Sequence, residues 1–340
     1  MQITVMGAGI LGLSAAWEMA RRGARVRVVE AVRVGAGSSG GLVGALAPHV
    51  PEQWNAKKAV QLDSLLMAEG FWRAVALAGG VDPGYARLGR VQPLTDEAAV
   101  ALARVRAESA RDLWQGRAEW RVSGPVPGLR VASATGLYVH DTLSARVSPR
   151  RACDALVAAL AARGVMVERG DEAPEGRVLW ATGVQGLLDL GIGGPLKGQA
   201  ALLAADWRAA PQVFVEGLHV VPHADGTVAV GSTSERGFDD PVATDGQLES
   251  LIERVRALCP DLADAPVIER WAGLRPRSAN RAPVLGAWPG RPGWFVLNGG
   301  FKIGFGMAPK LAQMAADLVL EGEDSVPPGF RLDEVLGKVG

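Results

Sequence analysis

The hydrophobic spacing changes twice within the opening stretch of the chain. Gln2-Ile3-Thr4-Val5-Met6 reads as an apolar strand, Ile10–Arg22 places apolar groups at helical intervals and stops at Gly23, and Arg25–Glu30 returns to strand alternation. Together they predict a βαβ unit. The opening run carries no basic leader and feeds straight into a glycine turn, so it reads as a buried first strand rather than a signal peptide. Gly35-Ala36-Gly37-Ser38-Ser39-Gly40-Gly41 has the composition of a linker, but it lies five residues past a strand, which points to a binding loop. Asn55–Ala78 predicts one long helix, or two that meet near Gly70. Thr95-Asp96-Glu97 offers a cap and an acidic first turn to a helix reaching about Gly116, and Ser148-Pro149 starts another that ends at Gly164.

Short strands are predicted near Val165–Glu168 and Arg177–Ala181, and from Leu196 onward strand character dominates. Leu196–Ala204, Gln212–Val215, Leu218–Pro222 and Thr227–Gly231 are valine-rich apolar runs, and Asp225-Gly226 marks a hairpin between the last two. Thr244–Leu258 is helical and stops at Pro260. Val267–Leu274 and Trp294–Leu297 read as strands, and Ile303–Leu320 as a closing helix. This order predicts an α/β protein in which a Rossmann-type domain is interrupted by an α+β domain with a mostly antiparallel sheet. No stretch of about 18 apolar residues is free of charges or glycine clusters, so no membrane-spanning helix is expected.

Composition adds exclusions. The 36 basic and 36 acidic residues cancel, so no net field draws the 340-residue chain toward nucleic acid or an anionic membrane. Cys153 and Cys259 stand far apart in no ligand spacing and are expected as small buried apolar groups, which suits a reducing, cytoplasmic setting. No His–Cys–acid cluster has metal-ligand spacing and no G-x-S-x-G elbow occurs, so neither a metal site nor serine catalysis is expected.

The strongest chemical signal is Gly7-Ala8-Gly9-Ile10-Leu11-Gly12, set between the first strand and the first helix. Gly7 permits the tight turn, Gly9 lets backbone approach a pyrophosphate, and Gly12 lets helix pack against strand. The helix N-terminus presents unpaired N–H groups and a positive dipole to the phosphates. Glu30 ends the second strand eighteen residues past Gly12, placed to accept hydrogen bonds from an adenosine ribose. An acid there argues against a 2′-phosphate, hence against NADP.

The fingerprint alone does not separate NAD from FAD; three further segments do so by resemblance. Ser38-Ser39, followed by Gly44-Ala45-Leu46-Ala47-Pro48, resembles the pyrophosphate and flavin-facing loop of the D-amino acid oxidase superfamily. Val178-Leu179-Trp180-Ala181-Thr182-Gly183 resembles the strand ending in Ala-Thr-Gly found across two-domain FAD enzymes. Phe295–Gly304, with Gly300-Phe301-Lys302-Ile303-Gly304 at its end, is similar to the last strand and glycine turn that bring a helix N-terminus to the flavin ring. The resemblance implies non-covalent FAD, because neither cysteine falls in a flavin-facing motif. It implies a discontinuous FAD-binding domain over 1–82, 145–196 and 272–340, and a substrate domain over 83–144 and 197–271. Between the Ser148 helix and the Ala-Thr-Gly strand the chain is short, leaving Val167 as the expected adenine contact.

Trp271-Ala272-Gly273-Leu274-Arg275-Pro276, with Pro283 and Gly286 downstream, looks like glycine oxidase and its amino acid oxidase relatives. That likeness gives Arg275 the role of anchoring a substrate carboxylate, for which a guanidinium fork is suited. The implied reaction is oxidation of the C–N bond of a small amine or amino acid by hydride transfer to flavin N5, followed by imine hydrolysis. Oxygen or an electron carrier would take the electrons. Three positions depart from the pattern. His219 replaces a frequent tyrosine, Lys302 an arginine beside the flavin, and Asn280 a common aspartate. His49, after Ala47-Pro48, is a candidate to lie over the ring or to face water. His140 and His223 are expected to be structural or exposed, and Trp54, Trp72 and Trp271 to be packing residues. Three alternatives stay open at this point: a tRNA carboxymethylaminomethyl group as substrate, a 2-hydroxy acid, or a flavin-binding subunit of a multi-subunit dehydrogenase. Homo-oligomerisation is compatible with all of them.

Overall fold

The computed structural model describes residues 1–170 and 172–337. In chain order, strand β1 (Gln2–Met6) leads through helix α1 (Ile10–Arg21) to β2 (Arg25–Glu30), the expected βαβ unit, with β1 and β2 parallel. There follow β3 (Ala45–Leu46), α2 (Ala56–Gly79), β4 (Arg90–Pro93), α3 (Glu97–Trp114), β5 (Trp120–Ser123), β6 (Tyr138–Asp141) and β7 (Ala145–Arg146). Next come α4 (Pro149–Ala161), β8 (Val167–Arg169), β9 (Arg177–Trp180), α5 (Gly183–Asp189) and β10 (Gly193–Ala204). The middle of the chain supplies β11 (Gln212–Val215), β12 (Leu218–Pro222), β13 (Thr227–Gly231), α6 (Gly246–Leu258) and β14 (Val267–Ser278). The remainder is β15 (Val284–Ala287), β16 (Trp294–Asn298), α7 (Gly304–Ala316) and α8 (Leu332–Leu336).

Two large sheets result. The first has order β15-β16-β9-β1-β2-β8 and is parallel except where β15 runs against β16. Helices α1, α2, α4 and α7 pack together beside it, burying Leu13, Trp17, Trp72, Leu156 and Leu311. A small separate core of Leu187, Ile192, Val284, Val296, Leu332 and Val335 joins α5 and α8 to the β15 end. The second sheet has order β14-β10-β13-β12-β11-β4-β6-β5 and is antiparallel except for β11 against β4. One face of α6 (Leu248, Leu251, Ile252, Val255) closes over it, meeting Ala201, Leu203, Val228 and Val230. Every strand contained in 83–144 or 197–271 belongs to this second sheet.

Local chemistry sets the helix starts. The side chains of Asn55, Asp96 and Asp245 accept from the amides of Lys58, Ala99 and Gln247, satisfying first-turn donors of α2, α3 and α6. Helix α2 is unbroken through Gly70, which has no close neighbour, so the two-helix option falls. The larger differences concern strand ends. The pattern predicts an end at Leu274, yet β14 runs on through Pro276 to Ser278, and its partner β10 begins at Gly193 rather than Leu196. Pro195 stands opposite Pro276. β14 is an edge strand, and β13 pairs with β10 only from Ala200 to Ala204, so neither proline has to supply a ladder donor. Both strands therefore cross from one lobe into the other, and the expected divisions at 196/197 and 271/272 fall inside them. The closing helix stops at Ala316 and widens into a π-helical turn, Asp317–Glu321, before Gly322. Strands β3, β4, β5, β6, β7 and β15 and helices α5 and α8 are not predicted by the sequence pattern.

Candidate active site

A cavity of about 1380 Å³ runs between the lobes, from the C-terminal end of β2 to the N-terminal end of α7. At its first end the glycine fingerprint takes its expected place. Gly7 has φ +106°, and a Cβ there would stand 2.5 Å from the Ala181 carbonyl oxygen. A Cβ on Gly12 would come within 2.0 Å of the Gly7 carbonyl oxygen, so α1 can sit this close to the turn only without one. Gly12 accordingly lies beneath the cavity, while Gly7, Gly9, Ile10 and Leu11 line it. The Ser39 hydroxyl accepts from the Ile10 amide at 3.0 Å, covering one first-turn donor of α1, and Ser38 lines the wall beside it. Glu30 also faces the cavity. Its two carboxylate oxygens accept from the amides of Ala8 (2.8 Å) and Val32 (3.0 Å), which fixes the side chain against the glycine turn.

Val167 is placed differently from expectation. It pairs with Val28 and packs against the core, and the cavity wall at that end is made by Gly170, Glu172 and Pro174 instead. Ala181, Thr182 and Gly183 line the middle of the cavity, and Gly300, Phe301, Lys302, Ile303 and Gly304 line its far end at the start of α7. The residues fit a flavin dinucleotide. A Cβ-intolerant phosphate turn, an anchored acid at the end of β2 and a second helix N-terminus stand along one elongated cavity. Both cysteines are buried, unpaired and outside the cavity wall, and burial pushes each thiol up to about 12.

Four polar side chains singled out by the sequence converge at the far end: Arg275, Lys302, His49 and His219. Arg275, only 8% exposed, comes from β14 at the register position opposite Leu196. Its guanidinium donates to the carbonyl oxygens of Lys197 (3.3 Å) and Thr233 (3.1 Å) and to the Ser232 hydroxyl (2.6 Å). No described carboxylate lies within salt-bridge distance of it; the nearby Glu235 is paired with Lys197 instead. Burial pushes it down to about 10, which still leaves it charged at neutral pH. Gly198 makes room for this arrangement, since a Cβ there would lie 1.9 Å from Arg275 Nη2.

Burial and the neighbouring cations Arg90, Lys302 and Arg275 push His219 down to about 3, so its ring is neutral. Its Nδ1 has no partner among the described residues, and its ring packs on Phe214 with centroids 4.7 Å apart. Gln61 on α2 accepts from the His49 amide at 2.7 Å, bonds the ring Nδ1 and donates to Ala47 O. That holds the loop after β3 against α2, and burial lowers the His49 pKa against the opposing pull of Gln61. Lys302 is exposed at the cavity mouth and donates to the Ser234 hydroxyl at 2.7 Å; partial burial first, then Arg275, lowers its pKa.

The sequence did not signal several residues of this end. Arg90 lines the cavity from β4, held by Asp141 at 2.9 Å directly across the strand pair, with its guanidinium over the Phe214 ring. Their separation of 51 residues leaves no local pattern to find. Ser232, Gln61 and Phe214 are likewise positioned by tertiary contact alone. Trp271 does line the cavity, against Gly41 and Gly273, whereas Trp72 is core packing and Trp54 packs at its margin. His223 is buried and bonds Leu42 O through Nε2. No helix among the described residues is long and apolar enough to cross a membrane.

The parallel sheet with its glycine turn, joined to an antiparallel sheet that closes over one shared cavity, is the architecture of a dinucleotide-binding protein. Comparison with known proteins makes this specific: the chain belongs to the DAO family of FAD dependent oxidoreductases, whose pattern matches residues 2–318. It is 29% identical to a glycine oxidase of Pseudomonas aeruginosa over 96% of this chain and 97% of that one. It is 26% identical to a glycine oxidase of Geobacillus kaustophilus over 99% and 98% of the two chains. Among solved structures, glycine oxidase from Geobacillus kaustophilus superposes with a TM-score of 0.83 at 22% identity, covering 97% of each chain. Iminodiacetate oxidase from Chelativorans sp. BNC1 does so with 0.83 at 23%, covering 96% and 97%.

Proposed function

We propose that the protein oxidises the C–N bond of a small amino acid or amine that carries a carboxylate. The observation that supports this most directly is Arg275: a buried, uncompensated guanidinium that three neutral oxygens hold in place inside the cavity. A substrate carboxylate would complete its coordination and set the reacting carbon toward the N-terminal end of α7. When bound, FAD supplies the two-electron acceptor. The α7 N-terminus favours negative charge at the cavity's far end. His219 and His49, both biased toward their neutral forms by burial, add no charge against a cationic amine and let it lose its proton to water. The amine loses two electrons and a proton from carbon, becomes an imine and hydrolyses in water to the carbonyl compound; oxygen or an electron carrier then takes up the electrons. The cofactor side would be held by Gly7, Gly9, Ile10, Leu11, Glu30, Ser38, Ser39, Ala181, Thr182, Gly183 and Gly300–Gly304, with Gly12 permitting the close turn. We assign Gly170, Glu172 and Pro174, rather than Val167, to the adenine end. The same reading places FAD in the segments 1–82, 145–196 and 272–340, and the substrate under 83–144 and 197–271. Two buried, unpaired cysteines support a cytoplasmic setting as part of this reading.

The test is anaerobic bleaching of the flavin by glycine, sarcosine, D- and L-amino acids and 2-hydroxy acids in turn, with ammonia or amine release measured. Bleaching by amines with nitrogen release supports the reading. Bleaching by 2-hydroxy acids alone would replace it with alcohol oxidation.

A further inference from the structure

At the substrate end of the cavity two cations held on one short segment, Arg275 and Lys302, lack a carboxylate partner among the described residues; Lys57 and Arg281 also line the cavity without one, Lys57 donating to the Arg281 carbonyl oxygen. Arg90 is neutralised by Asp141, but Arg275 and Lys302 are held only by hydroxyls and carbonyls. Glu30 and Glu172 are the only acids lining the cavity among the described residues, and both belong to its opposite end. Arg275 and Lys302 are, in addition, held in register. Arg275 donates to Ser232 Oγ at 2.6 Å and Lys302 to Ser234 Oγ at 2.7 Å. These serines sit two residues apart in a segment paired antiparallel to β10 through Thr233 N to Gln199 O and the Lys197–Glu235 bridge. In extended chain, alternate residues share a face and lie at most about 7 Å apart. Thr233 and Glu235 take the other face. There Glu235, the acid nearest to Arg275, is engaged by Lys197, Gln199 and Thr233. The fold thus turns its one candidate counter-ion away and leaves two positive charges side by side.

We infer that the substrate is a short-chain amino or imino dicarboxylate, with one carboxylate on Arg275 and the second on Lys302 at the cavity mouth. This rests on the proposed amine oxidation and narrows it. A second charge-assisted pair at a partly exposed site favours a dicarboxylate over its monocarboxylate analogue by roughly ten- to hundredfold in kcat/KM.

The experiment uses the FAD-loaded protein. Anaerobic flavin reduction by iminodiacetate, aspartate and glutamate of both configurations is compared with glycine, sarcosine, asparagine and glutamine. In parallel, calorimetric titration with malonate, succinate and glutarate against acetate and propionate reads the site without turnover. The expected results are a dicarboxylate preference in both, its collapse in Lys302→Met, and its return in Lys302→Arg, with the visible flavin spectrum confirming that each variant is folded and loaded. Equal affinity for mono- and dicarboxylates overturns the inference while leaving amine oxidation standing. So does a Lys302→Met variant that slows every substrate alike, which assigns the lysine to the flavin instead. If no amine bleaches the flavin, the proposed reaction fails, and the titration alone decides whether the paired site exists.

Discussion

Replacing Arg275 with methionine is the sharpest perturbation of this site, because it keeps the stem and removes the fork. Arg275 is 8% exposed and has no acidic partner within the described residues, and only three of its five N–H donors meet an oxygen, which leaves donors for an anion. A bound carboxylate paired there is largely desolvated. Removing one member of such a pair costs about 2–5 kcal/mol, which corresponds to roughly thirty- to several-thousand-fold in kcat/KM. Rapid-mixing measurement of flavin bleaching against substrate concentration separates a rise in KM from a fall in kcat. Loss of anchoring alone raises KM; loss of alignment of the reacting carbon also lowers kcat. Gly198→Ala gives an independent route to the same end, since its Cβ would lie 1.9 Å from Arg275 Nη2 and must displace the guanidinium. Both variants should fold and take up FAD, because neither touches the glycine turn. Unchanged kcat/KM in Arg275→Met, with the flavin spectrum intact, would refute the carboxylate-anchor reasoning outright.

Three further outcomes are expected. Gly12→Ala should abolish FAD uptake, read as loss of the flavin absorption band in the purified protein, because its Cβ would sit 2.0 Å from the rigid Gly7 carbonyl oxygen. Glu30→Ala removes an acceptor shared by the Ala8 and Val32 amides as well as the expected ribose contact, and should weaken FAD binding by about 1.5–3 kcal/mol in an equilibrium titration of the apoprotein. His219 is pushed from 6.5 to about 3 in the folded protein, so between those values the unfolded chain binds the extra proton and stability falls as pH falls. At pH 5 this amounts to at most about 2 kcal/mol, and denaturant titrations of His219→Phe apoprotein at pH 7 and pH 5 should show a correspondingly smaller acid loss than wild type. An identical acid loss in the two proteins would remove His219 as its source.

Much of the nucleotide side was legible because each of its signals is local. The turn glycines, the helix that follows, the loop serines and Glu30 lie within one supersecondary unit, and backbone sterics confine such a sequence to few conformations. The hairpin at Asp225-Gly226 was readable for the same reason, Gly226 taking φ +84° between β12 and β13. Strands β4, β5 and β6 were not. Each spans four residues and mixes polar with apolar groups, so nothing but pairing within the second sheet makes them strands. The run of β14 past Pro276 was equally hidden, since a proline reads as a terminator until the opposing Pro195 and the open sheet edge are seen.

By itself, then, the sequence determined the dinucleotide turn, the acid opposite it and the arginine-bearing strand, all of which follow from short-range sterics and motif chemistry. Only the tertiary structure decided what surrounds Arg275. Asp141 claims Arg90 from across a strand pair, and Glu235 is turned to the far side of its segment by Lys197 and Gln199. Arg275 and Lys302 are thereby left to face a shared cavity without counter-ions among the described residues. Charge balance between side chains dozens of residues apart depends on which faces of which strands meet, and that is set by sheet register, which no local run of residues encodes.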